Sequence, residues 1–110
     1  MKIIWSDIAN RHLDSVAEYV EENFGSMTVA KTLDKIDKKV KALSRFPERG
    51  VLDRKYSTAE YTVHHINVDP NVIYYMVYPD VIVIGVIVHH KQSPKAVDTI
   101  LKRFLEHYER

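Results

Sequence analysis

Residues 89–94 read His89-His90-Lys91-Gln92-Ser93-Pro94. Two imidazoles followed by an ammonium are the side chains of acid–base chemistry at neutral pH. Histidine gives and takes protons in that range, and lysine neutralises charge as it develops. A reaction needing a base, an acid and a cation, such as attack of a ribose 2′-hydroxyl on its own phosphodiester, finds all three types here. Successive strand residues point to opposite faces, so only one of His89 and His90 enters a given cleft. The plainer reading is one packed, hydrogen-bonded ring and one solvated ring.

Other candidates surround this cluster. Tyr74, Tyr75 and Tyr78 have faces on which a nucleobase can stack, or they pack within a sheet. Glu60 is either a base or a solvated carboxylate at a strand edge. His64, His65, His89 and His90 are imidazole donors, but adjacent histidines on a strand diverge, and no His-x-x-x-His pattern is present. No cysteine occurs, which removes disulfides and thiolate metal sites. There is no phosphate-cradling glycine loop and no nucleophile elbow. Neither a metal nor a cofactor is expected.

The elements that must position these residues follow from periodicity. Residues 81–88 are apolar without interruption, the mark of a strand covered on both faces. Residues 72–78 precede it across a Pro79-Asp80 turn. Residues 60–68 alternate, with Tyr61, Val63 and His65 on one face and Thr62, His64 and Ile66 on the other. Asp69-Pro70-Asn71 turns between them, so three strands form an antiparallel meander. Residues 2–5 are a short strand. Ser6 or Asp7 then caps a helix whose apolar face is Ala9, Leu13, Val16, Ala17, Val20 and Phe24. Gly25 ends it. Ser26 caps a second helix, with Val29, Leu33, Ile36, Val40 and Leu43 on one side, and Pro47 terminates it. So short a link packs the two helices antiparallel. Residues 46–59 are turn-rich. Ser93 caps a last helix with Pro94 at its first position. Its stripe of Val97, Ile100, Leu101, Phe104, Leu105 and Tyr108 must pack on the sheet, on a second copy or on a partner. The expected fold is therefore α+β: an N-terminal strand, an antiparallel helix hairpin, a three-strand meander joining a small sheet, and a C-terminal helix.

The chain of 110 residues suits one domain spanning 1–110. Sixteen basic and 15 acidic residues leave a net charge of +1, which argues against a strong general nucleic-acid binder. The distribution is less even. The first helix carries Asp7, Asp14, Glu18, Glu21 and Glu22 against Arg11 alone. The second carries Lys31, Lys35, Lys38, Lys39, Lys41 and Arg45 against Asp34 and Asp37. Across an antiparallel hairpin these opposite charges are expected to face each other along the rims. No basic leader precedes an apolar stretch, and no apolar run approaches the roughly 20 residues of a spanning helix. A soluble cytoplasmic protein is expected.

Several short motifs, in order, resemble the RelE/ParE toxin superfamily. Trp5-Ser6-Asp7-Ile8-Ala9 resembles its opening, and residues 13–19 match its leucine and tyrosine positions. Leu43, Phe46-Pro47 and Gly50 are similar to the ending of its second helix. Val72-Ile73-Tyr74-Tyr75-Met76-Val77 resembles a strand usually written R-I-x-Y-x-V, and residues 87–94 resemble a closing V-L-H-x-x-R-D-P. Two positions depart: Val72 and Gln92 stand where many relatives carry arginine.

The resemblance implies the toxin of a type II toxin–antitoxin module, of the plasmid-stabilisation kind, closer to the ParE branch. It implies growth inhibition by binding DNA gyrase and neutralisation by a cognate antitoxin, whose tail folds along the hairpin and sheet. In the RNA-cleaving branch the target is the ribosome with its mRNA. There the resemblance makes His90, Lys91 and Arg54 the catalytic candidates, with Lys55, His89, Gln92 and Tyr74 contacting substrate. The missing arginines weaken that enzymatic reading. A third reading is a non-toxic interaction protein on the same fold, including a homodimer through the C-terminal helix.

Overall fold

The computed structural model describes all 110 residues. Its order is β1 (Lys2–Trp5), α1 (Asp7–Phe24), α2 (Ser26–Ala42), β2 (Val51–Leu52), a 3-10 turn (Arg54–Tyr56), β3 (Thr62–Val68), β4 (Asn71–Val77), β5 (Val81–His89) and α3 (Pro94–His107). The five strands lie in the order β1-β5-β4-β3-β2. β1 runs parallel to β5, and every other pairing is antiparallel. The expected meander is β3–β5.

Ser6, not Asp7, caps α1: its Oγ accepts the Ala9 N–H at 2.9 Å and donates to the Gly85 carbonyl at 2.8 Å. Gly25 joins the two helices alone, at φ 88°, a conformation that glycine takes without strain. Ser26 was expected as the cap of α2. It is instead the first helical residue, and no side chain caps that end.

The sheet divides the core. On the hairpin face Ala9, Ile36, Val40 and Leu43 pack against Ile73, Tyr75, Ile82, Ile84 and Ile87. On the other face Leu101 and Phe104 of α3 pack against Met76, Val83, Val86 and Val88. The apolar stripe of α3 is thus covered by its own sheet. β5 lies fully buried from Val81 to Val88, as a central strand reading as apolar on both faces should. Its alternation slips once. Tyr74 pairs with Val86 and Tyr75 with Ile84, so Gly85 is the extra residue of a bulge. A side chain there would meet the Phe104 ring at 2.9 Å.

β1 pairs only with residues 81–84, which leaves the far half of β5 without a strand on that side. Side chains take over its backbone groups. Ser6 holds the Gly85 carbonyl, and His12 Nδ1 accepts the Ile87 N–H at 3.0 Å. Gln92 Oε1 accepts the His89 N–H at 3.0 Å. An edge closed in this way is a poor template for strand addition.

The opposite charges of the hairpin do not pair across it. Lys38 and Lys41 bind Asp34 and Asp37 one turn earlier on the same helix, at 3.0 and 2.9 Å. Such exposed pairs add little stability. The hairpin is held by its apolar seam. No helix is long and apolar enough to cross a membrane.

Candidate functional site

Three regions gather the polar and aromatic groups that bear on the candidates named above. The first is the end of β5. The His89 side chain is half-exposed, while those of His90, Lys91 and Gln92 are exposed. The segment folds back on itself: His89 Nδ1 accepts the Lys91 N–H at 3.1 Å, and the Gln92 N–H donates to the His89 carbonyl at 3.0 Å. Gln92 accepts a backbone hydrogen bond, which an arginine has no acceptor to do. The His90 N–H donates to the Pro70 carbonyl at 2.8 Å, fixing the turn beside the β3–β4 connection. The two imidazole rings lie 4.8 Å apart.

The second region is a groove of about 650 Å³ beside this turn. Val16 and Val20 of α1, Ile36 of α2, Val68 of β3 and Ile87 of β5 supply its apolar lining. Tyr19 and Phe24 stand at its mouth, 58% and 64% exposed. Lys31 and Lys35 border it from α2, and neither is in an ion pair. His12 and His89 also line it. Burial, reinforced by the Arg11 charge, pulls the His12 imidazole below its usual range. That suits a ring accepting a backbone N–H through Nδ1.

The third region lies at the β2–β3 edge and the first turns of α3. The Asp53 carboxylate meets His65 Nδ1 at 2.8 Å, and the His65 ring tilts against Tyr74 at 5.2 Å. Beside them Asp98 of α3 takes the Tyr56 hydroxyl at 2.5 Å and the ammonium groups of Lys55 and Lys102 at 3.0 and 3.2 Å. The Tyr56 bond, then the two lysines, hold the Asp98 carboxyl far below the usual carboxylate range. Burial, then the bond to Asp98, push Tyr56 up to about 12. Burial, aided by the Asp53 charge, also raises Tyr74.

The candidates named from the sequence fall into separate places. His89, His90, Lys91 and Gln92 sit together at the β5 end. Arg54 and Lys55 sit in the 3-10 turn, next to Asp53, whose N–H bonds to the Val63 carbonyl at 2.8 Å. That is the opposite end of β3 from Pro70. Seven strand residues at about 3.3 Å each put roughly 20 Å between them. Arg54 is exposed, and Lys55 is tied to Asp98. Tyr74 is half-buried on the α3 face, as is Val72, which packs there among apolar side chains. Of the four histidines, His64 stacks on Tyr75 on the hairpin face and His65 lies on the other, so they do not converge with His89 and His90. Asp53, Tyr56, Asp98 and His12 had no signal in the sequence. Each acquires its partner only through strand pairing or helix docking.

Among curated protein sequences, none matches the chain. A solved structure described as the chromosomal ParDE TA system from P. aeruginosa is similar to it. The two share 20% identity with a TM-score of 0.65 over 81% of this chain and 95% of that one, a likeness of fold. A family model described as the ParE toxin of the type II toxin–antitoxin system parDE matches residues 3–94. With that match covering most of the strands and both hairpin helices, the chain belongs to the ParE toxin family.

Proposed function

We propose that this type II toxin arrests bacterial growth by binding DNA gyrase, and that a cognate antitoxin neutralises it by seating a tail in the groove between hairpin and sheet. What supports binding over cleavage is that the catalytic candidates do not converge on one site. His90 and Lys91 stand roughly 20 Å along β3 from Arg54 and Lys55. Cationic stabilisation acts only where charge develops, within hydrogen-bonding reach.

The groove suits an antitoxin tail in two respects. Its lining and the exposed Tyr19 and Phe24 offer apolar surface for an amphipathic segment that orders on binding. Lys31 and Lys35, free of the pairing that occupies Lys38 and Lys41, favour acidic residues beside that segment. No second copy is needed to cover the stripe of α3, which packs on its own sheet.

One observation keeps mRNA cleavage as a second reading. Asp53 orients the His65 imidazole beside Tyr74, with Arg54 and Lys55 adjacent in the chain. A carboxylate-oriented imidazole is a competent general base. In that reading His65 joins Arg54 and Lys55, while His90 and Lys91 contact the ribosome. Purified protein separates the two. Inhibition of gyrase supercoiling, with no cleavage of ribosome-bound mRNA, supports the first. Cleavage that disappears in His65→Ala establishes the second.

A further inference from the structure

We propose that the loop between α2 and β2 is the surface that grips the toxin's protein target, with Phe46 entering an apolar recess and Arg45 and Arg49 meeting carboxylates around it. The assignment rests on the toxin reading above and adds to it the surface used and the chemistry of its partner.

The loop carries the motif Leu43, Phe46-Pro47 and Gly50. Three of these residues have an internal reason to be there. Leu43 is fully buried in the hairpin-face core. The Pro47 carbonyl accepts the Tyr75 hydroxyl at 2.8 Å. Gly50 lies so close to the sheet that a Cβ would stand 2.5 Å from the His65 carbonyl oxygen and 2.7 Å from the Tyr75 hydroxyl. Phe46 has no such reason: its ring is 61% exposed.

The backbone holding that ring is fixed. The Phe46 N–H bonds to the Ala42 carbonyl at 3.2 Å, and the Arg49 N–H bonds back to the Phe46 carbonyl at 3.1 Å. The Gly50 N–H donates to the Tyr75 hydroxyl at 3.0 Å. A presented aromatic on a rigid loop has little left to order on binding, and ordering is a main cost of association. Phenylalanine and arginine are also enriched at interfaces.

Charge selects the partner. Phe46, Pro47, Val77 and Met1 line a shallow depression of about 720 Å³, flanked by Arg45 and Arg49. Neither arginine is in an ion pair, and Glu48 is the one carboxylate there. An acidic surface complements it. A second copy does not, because a two-fold contact would set this net-positive patch against itself.

Position separates this loop from the groove. Val77, in the depression, and Asn71, at the groove, are opposite ends of β4, roughly 20 Å apart at about 3.3 Å per residue. An antitoxin segment filling the groove must run on by roughly six extended residues to cover the loop.

The test compares Phe46→Ala and Arg45→Glu/Arg49→Glu with the native chain, in induced bacteria and on purified gyrase. Thermal melts confirm that these exposed substitutions leave the fold intact. Each variant is expected to need at least about tenfold more protein for the same inhibition, the loss typical of a central interface residue. Undiminished potency in both, beside a toxic native chain, overturns this assignment alone. A native chain without effect overturns the toxin reading and this inference with it. Weakening seen only with DNA present, with binding to isolated gyrase subunits unchanged, overturns the choice of a protein partner.

Discussion

Replacing Tyr75 by phenylalanine removes one oxygen and should cost far more than an average substitution. The Tyr75 side chain is essentially buried, and its hydroxyl does two jobs at once. It donates to the Pro47 carbonyl at 2.8 Å and accepts the Gly50 N–H at 3.0 Å. Phenylalanine keeps the ring stacked on His64 and orphans both backbone groups. A buried polar group left without a partner costs about 1–3 kcal/mol. Both groups here are only partly buried, so water recovers some of that, and the sum is about 2–4 kcal/mol. Set against a domain stability of about 5–15 kcal/mol, this is a large fraction. Urea unfolding of both proteins measures it directly, as a lower midpoint at unchanged slope. A change under about 1 kcal/mol would refute the reasoning, by showing that the loop does not depend on this hydroxyl. The same variant should loosen the loop carrying Phe46 while leaving the hairpin groove unchanged.

Three further outcomes follow from the same geometry. The folded chain keeps His12 neutral and its pKa lowered, so stability is full above the unfolded value of 6.5 and falls as pH drops through it. Denaturation at about pH 7 and about pH 5 should show that loss, and His12→Ala should lessen it while costing about 1–2 kcal/mol at the higher pH. Tyr56, raised to about 12, contributes stability that is complete below the unfolded value of 10 and lost as pH rises from there through 12. Tyrosinate absorbance should show late-titrating rings, and Asp98→Ala should return one of them, Tyr56, toward 10. Gly85→Ala drives a methyl into the Phe104 ring, 2.9 Å away, and should lower the melting midpoint by the equivalent of about 1–3 kcal/mol.

Periodicity and caps carried most of the fold. Ser93 and Pro94 start α3 where the pattern says, with Ser93 Oγ accepting the Ala96 N–H at 3.1 Å. The faces of β3 divide as alternation requires, with Val63 toward α3 and Ile66 toward the hairpin. β2 escaped because it is two residues long and exists only through pairing with His64 and His65. The bulge at Gly85 escaped because a strand buried on both faces shows no alternation to break. The site was less legible. Motif order singles out His90, Lys91, Arg54 and Lys55, but it carries no information on which end of a strand each reaches. Gln92 reads as a lost cation in the sequence. In the structure it is the acceptor that closes the β5 edge, a role visible only once His89, paired with Asn71 of β4, is seen to lack a strand on the β1 side.

The central claim is a toxin that acts by binding and without strand-end catalysis. It is tested most directly by tightly induced expression in a bacterium of the native chain and of His90→Ala/Lys91→Ala, both kept to equal soluble levels. Growth arrest by both is the expected result. A folded double variant that leaves growth unaffected while the native chain arrests it would contradict the account and make the end of β5 the active edge.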